Sequence, residues 1–288
     1  MIRSILVPAM GNQADAACFT AALPVARAFA AHLDALHVRV DPVGVAVAMS
    51  TEGAGGTLLQ GIIDDIARDA DEGEARARSG FAEFCTRENL PLAATASDTH
   101  ATPSAEFHVE TGEDVRWMAA YGLTADLLIA PRGVPGDDAV ARSILEALLL
   151  ETGRPLMIPA TTPATAMPER IAVAWKPTPQ AARAVGLAMP FLSRAKEVVV
   201  LTVDEEPGRR SDVDRLIGYF ACHGLKATAE RLQPGAGDPA ETLINAAAAR
   251  ADLLVMGGYG HTRLREWVFG GFTQRVLADA PLAVLMSH

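Results

Sequence analysis

The sequence predicts an α/β fold built from two consecutive units, each a doubly wound parallel sheet with helices on both faces. Three observations carry this reading. The chain is written twice: Ala125-Asp-Leu-Leu-Ile-Ala-Pro-Arg132 matches Ala251-Asp-Leu-Leu-Val-Met-Gly-Gly258 at an offset of 126, and Pro155-Leu-Met-Ile158 matches Pro281-Leu-Ala-Val284 at the same offset. The apolar runs are short and nearly continuous, the pattern of parallel strands covered on both faces. Between them lie alanine-rich amphipathic stretches, and alternating strand and helix imply right-handed crossovers with ligands outside the carboxyl ends of the strands.

The first copy opens with Ile5-Leu-Val-Pro8, which matches Ile171-Ala-Val-Ala174 at an offset of 166, and Pro24 falls on Pro190 inside a helical stretch of each copy. The offsets of 126 and 166 differ by 40, so the first copy carries about that much extra chain. Much of the surplus falls in Asp41–Asn89, which holds the glycine-rich Glu52-Gly-Ala-Gly-Gly56 and a long charged helical stretch, Ile62–Glu88. Within it the acidic stretch Asp64–Glu74 reads as a solvated helix face or a partner surface. Five strands are expected in the second copy, at Ile171–Ala174, Val198–Val203, Lys226–Arg231, Leu253–Met256 and Leu282–Met286. Helices are expected at Gln180–Ser193, Ser211–His223, Pro239–Arg250 and Thr262–Ala278, with Asp238 as N-cap and Pro239 in the first turn of the third. The Pro/Thr-rich segment Ala160–Glu169 reads as the linker, which gives units at 1–160 and 169–288.

Composition narrows the function. With half its residues hydrophobic and 21% charged, the chain reads as globular rather than disordered. A net charge of −10 offers no basic field for nucleic acid, although local dipoles can still hold one nucleotide. Cys18, Cys85 and Cys222 share no metal-ligand spacing and read as small core hydrophobes in a reducing compartment. The opening MIRSILVPAM has no signal-peptide pattern, and no stretch has the roughly 20 apolar residues of a membrane helix. The expectation is a cytoplasmic protein without a membrane segment.

The segment between the last two strands carries the chemistry. In Gly257-Gly-Tyr-Gly260, followed by His261–Phe269 and Gly270, the spacing is Gly-x2-Gly-x9-Gly. A strand that enters a helix through such a turn leaves unpaired N–H groups, and the helix dipole favours an anion beside them. Glycine there either lets a phosphate approach the backbone or serves tight packing alone.

These residues resemble the universal stress proteins in their tandem form, whose nucleotide-binding members carry Gly-x2-Gly-x9-Gly followed by Ser, Thr or Asn. The resemblance covers both copies and is strongest in Ala251–His288. It implies two five-stranded parallel sheets packed about a pseudo-twofold axis through Pro155–Pro159 and Leu282–Met286, so that one chain mimics a dimer. It also implies an adenine nucleotide, ATP or AMP, with Mg2+ as an allowed companion, neither being required by the sequence. Candidate contacts are Ala174, Trp175, Lys176, Val203, Gly257, Tyr259, Gly260, Thr262, Gly270, Gly271, Phe272 and Thr273. Two positions depart from the family pattern. Gly271 stands where a hydroxyl or amide would bond phosphate, with Thr273 two residues on as a partial substitute. Lys176 stands where an acid would bond the ribose or base. In the first copy the motif glycines become Pro131, Val134 and Ile144, and the acidic position is Met10, so that copy is expected to bind no nucleotide in the family manner.

Catalytic and metal sets are not evident. The chain has no P-loop, no nucleophile elbow and no Ser-Gly-Gly-x-Asp-Ser signature, and His100, His108, His223, His261 and His288 show no pairing at metal spacing. His261 and Arg263 are modest phosphate candidates, and Trp175 and Tyr259 either flank a base or pack. The expected function is a stress-response sensor or adaptor that binds an adenine nucleotide in its second copy, with a partner protein or a homodimer as allowed extensions. An interaction scaffold without nucleotide and a slow ATPase remain the alternatives.

Overall fold

The computed structural model describes residues 1–50, 56–93, 102–132, 139–203, 210–233, 238–258 and 271–288. In the first half the elements run β1 (Ser4–Pro8), α1 (Gln13–Phe29), β2 (His32–Arg39), α2 (Pro42–Ser50), α3 (Gly56–Glu88), β3 (Ser104–Thr111), α4 (Asp114–Gly122), β4 (Leu127–Ile129), α5 (Ala139–Glu151) and β5 (Leu156–Ile158). The second half follows as β6 (Arg170–Ala174), α6 (Pro179–Leu192), β7 (Glu197–Val203), α7 (Arg210–Cys222), β8 (Ala227–Leu232), α8 (Pro239–Arg250), β9 (Leu253–Gly257), α9 (Gly271–Asp279) and β10 (Ala283–Ser287). The strands β1 and β6 begin and end at matching positions of the repeat, and Pro24 and Pro190 both sit inside helices. The surplus of the first copy lies between β2 and β3, where α2 and the 33-residue α3 stand in the place of the 13-residue α7. The expected helix from Thr262 is described only from Gly271 onward, and the glycine-rich piece before Gly56 lies outside the described residues.

All ten strands form one sheet in the order β3-β2-β1-β4-β5-β10-β9-β6-β7-β8. Each half is parallel throughout, and the halves meet where β5 and β10 run antiparallel. Ile158 pairs there with Val284, its own counterpart at the offset of 126, which puts a pseudo-twofold axis through that pair. On one helical face Arg194 donates to Ala28 O at 3.3 Å, again a residue and its counterpart, and its guanidinium lies 4.7 Å from the Phe29 ring centre. The expected meeting of the last strands is therefore observed, and it fuses the two five-stranded sheets into one.

Strand residues alternate between two cores because successive side chains point to opposite faces. Ile5, Val7, Leu33, Ile171, Val173, Val198 and Val200 pack under α1, α6, α7 and the later turns of α3. Leu6, Leu36, Ala172, Leu201, Leu254 and Met256 pack under α4, α5, α8 and α9.

The repeated Ala-Asp-Leu-Leu has a structural purpose. Asp126 Oδ2 accepts the N–H of Arg3 at 2.7 Å and of Ser4 at 3.3 Å, which ties the start of β4 to the start of β1. Asp252 Oδ2 does the same for Glu169 at 3.2 Å and Arg170 at 3.0 Å, with the Arg170 side chain on Oδ1 at 2.6 Å. Burial raises the Asp252 carboxyl, but these donors outweigh it and hold the group below its ordinary 3.8. A depressed carboxyl stabilises the fold above its unfolded value and loses that contribution as pH falls through the folded one. Asp252→Ala is thus expected to lower the unfolding free energy by about 1–2 kcal/mol at neutral pH. Denaturant titrations at pH 7 and near pH 2 check this: the gap between variant and parent closes in acid.

Candidate functional site

Each half has its first strand at the centre. Because β6 lies between β9 and β7, the chain order reverses between β6 and β9, and a crevice opens at their carboxyl ends. Ala174 ends β6, Trp175 and Lys176 follow it, and Gly257 ends β9, so these four candidates share one rim. Val203 ends β7, one strand further out, and Gly271, Phe272 and Thr273 are the first described residues of α9. Tyr259, Gly260, Thr262 and Gly270, like His261 and Arg263, lie outside the described residues.

Trp175 continues the ladder, donating its N–H to Leu201 O at 2.8 Å. Its ring packs against the core on the α6 and α7 face, with Nε1 buried and without a hydrogen-bond partner among the described residues. Lys176 and Pro177 are exposed at the rim. The next residue, Thr178, caps α6 by accepting the Ala181 N–H at 3.2 Å, and Pro179 occupies the first turn.

The glycines differ in what requires them. A Cβ on Gly257 would lie 2.5 Å from Ala181 N and 2.7 Å from Gln180 C, both main-chain atoms. The amino-terminal turn of α6 thus rests directly on the end of β9, and no side chain fits between them. Gly271 is the opposite case: it is exposed, and a Cβ there would have no atom of the described residues within 4 Å. Thr273 is buried on the inward face of α9 beside Val276, Leu277 and Ala280, whereas Gly271 and Phe272 face outward.

The corresponding corner of the first half is filled by protein. Asp15, the counterpart of Ala181, is buried and accepts the N–H groups of Met10 at 2.9 Å and Gly11 at 2.7 Å. Burial lifts its carboxyl above the ordinary range, and those two donors oppose the shift without reversing it. Beside it the buried His37 donates Nδ1–H to Ala9 O at 2.6 Å. Gly11 has φ +74, and a Cβ there would lie 2.7 Å from Gly73 O, so α3 lies across the β1–α1 turn.

Arg132 is the counterpart of Gly258, and its role was not visible in the repeat. Its guanidinium donates to the carbonyls of Val276 at 3.3 Å, Leu277, Leu282 at 3.3 Å and Pro159 at 3.2 Å. A cation therefore closes the carboxyl end of α9 from across the seam, where the helix dipole is negative.

A model of the universal stress protein family matches residues 167–288, the segment from β6 to β10 that contains this crevice. These residues form a universal stress protein domain. Among solved structures, the chain is similar to a universal stress protein from Archaeoglobus fulgidus DSM 4304, with a TM-score of 0.71 and 14% identity over 99% of this chain and 95% of that one. It is also similar to a putative universal stress protein from Pseudomonas aeruginosa UCBPP-PA14, with a TM-score of 0.58 and 17% identity over 99% of this chain and 93% of that one. At those identities the likeness is one of fold, and it extends the universal stress architecture across the first half, in keeping with a tandem form. No curated protein matches the sequence. No described helix is long and apolar enough to cross a membrane.

Proposed function

We propose that the universal stress domain at 167–288 binds an adenine nucleotide in the crevice between β6 and β9, and that the chain serves as a nucleotide-responsive sensor or adaptor in a stress response. The observation that carries this reading is the reversal of strand order at β6 and β9 with the glycine-rich connection leaving β9 at that point. Gly271, the residue that follows the motif's third glycine, begins the described part of α9 and is exposed there. Lys176, exposed just beyond the end of β6, supplies positive charge suited to phosphate rather than an acceptor for the ribose. The first half takes the part of a structural partner, since Asp15 already occupies the main-chain donors of its β1–α1 turn.

The open space at Gly271 supplies the test. A Ser placed there restores the hydroxyl of the family pattern without meeting any described neighbour. Gly271→Ser is expected to tighten ATP binding by about 1.5–3 kcal/mol, roughly tenfold to a hundredfold, in calorimetric titration of nucleotide-free protein. An unchanged or weaker affinity would remove phosphate from this corner. One observation favours a second reading, an interaction scaffold without nucleotide: helix packing alone accounts for Gly257.

A further inference from the structure

A second cluster of functional side chains lies in the first half, toward the amino-terminal ends of β2 and β3 and away from the crevice. Parallel register sets Asp34 opposite Glu106, with His32 two residues before Asp34 and His108 two residues after Glu106, all on one face. Like charges placed opposite one another on paired strands repel, and here both histidines approach both acids.

We propose that His32 Nε2, Asp34 Oδ1 and Glu106 Oε2 bind one divalent transition-metal ion of the Zn2+ class. The three atoms lie within 4.8 Å of one another, with His32 Nε2 3.4 Å from Asp34 Oδ1 and 3.8 Å from Glu106 Oε2. Donors about 2.0–2.1 Å from a tetrahedral zinc stand roughly 3.3–3.5 Å apart, so the His32–Asp34 separation already fits and the Glu106 carboxylate turns inward to close the site. His32 Nε2 is buried and faces Asp34 Oδ1 at 3.4 Å and Glu106 Oε2 at 3.8 Å, contacts longer than a well-formed hydrogen bond, so the ring nitrogen is aimed between two carboxylates.

The outer contacts are those a ligand set needs. His32 Nδ1 lies 2.8 Å from Ser104 Oγ, which fixes the ring and directs Nε2 inward. Ser4 donates its hydroxyl to Asp34 Oδ2 at 3.2 Å, which orients Oδ1. His108 Nε2 lies 2.9 Å from Asp34 Oδ1 and 3.8 Å from Glu106 Oε2, so it steadies both acids, and a water completes the metal's coordination. An imidazole with two carboxylates selects zinc, manganese or ferrous iron over magnesium or calcium. All three donors keep some exposure, from 12% for His32 to 24% for Glu106, which gives the ion a route from solvent. Bound there, the ion staples β3, the outermost strand of the sheet, to its neighbour. The spacing of histidines gave no sign of this set because 71 residues, including α2 and α3, separate Asp34 from Glu106.

Full-length protein stripped with chelator and titrated with ZnCl2 alone tests the assignment. One equivalent is expected to bind, raising the melting temperature, and Co2+ in its place is expected to give visible d–d absorption. Glu106→Gln keeps the side-chain volume and removes the repulsion, so it folds; both it and His32→Gln are expected to weaken zinc binding by more than the roughly 10–100-fold that an outer partner is worth. Ser104→Ala is expected to cost about tenfold, and His223→Gln, on the far side of the chain's second half, nothing. No saturable uptake, or stoichiometric uptake that survives both ligand substitutions, would overturn the site and leave a charge cluster only.

Discussion

Arg132→Ala is expected to destabilise the chain by about 3–5 kcal/mol and to loosen the seam between the halves before either half unfolds. Four carbonyls, of Pro159, Val276, Leu277 and Leu282, share this one guanidinium in part-buried hydrogen bonds at the seam. Truncation leaves them without their charged donor and removes the positive charge from the end of α9, so the loss exceeds that of an average hydrogen bond. Arg132→Lys should recover less than half of it, because one ammonium cannot fork to acceptors just after β5, on α9 and just before β10. Urea denaturation of the three proteins measures the effect. A shift of only a few tenths of a kcal/mol for the alanine variant would mean that the seam is held by β5–β10 pairing and apolar burial alone.

Gly257→Ala is expected to be nearly as damaging and to act on the site as well. The new methyl meets Ala181 N and Gln180 C at 2.5 and 2.7 Å, and main chain in a capped first turn cannot swing aside as a long side chain would. Either α6 lifts from the end of β9 or the strand bends; overpacking of this kind costs about 1–3 kcal/mol. Both outcomes displace the turn that carries Lys176, so ATP affinity should fall by at least about tenfold, or 1.4 kcal/mol. Gly258→Ala is the control: its Cβ meets Leu149 Cδ2 at 3.4 Å and Met286 Cε at 3.5 Å, side-chain ends that can give. Melting curves and ATP titrations of the two variants separate them, and equal behaviour would contradict the close approach at Gly257.

The architecture was legible because the repeat is local. Matching octapeptides fix β4 and β9, the matching openings fix β1 and β6, and the doubly wound order follows from alternating strands and helices. The meeting of β5 with β10 came from the family resemblance, and the structure bears it out while joining both sheets into one. The motif glycines were legible as a set but not by role, since only the position of α6 reveals that Gly257 is needed for packing and Gly271 is not. Asp15 and Arg132 carried no signal: an acid in a first helical turn is common, and an arginine after a strand reads as surface until the partner half is in place. The His32, Asp34 and Glu106 cluster depends on strand register across the long inserted helix, which spacing in the sequence cannot convey.

The central claim concerns the crevice of the second half, and titration of nucleotide-free, full-length protein with ATP by calorimetry tests it most directly. The account predicts saturable binding of one ATP per chain, strengthened by Gly271→Ser and weakened by Gly257→Ala. No heat of binding at ATP concentrations of about 1 mM, equivalent to less than about 4 kcal/mol of affinity, would contradict it and leave an interaction scaffold built on the same fold.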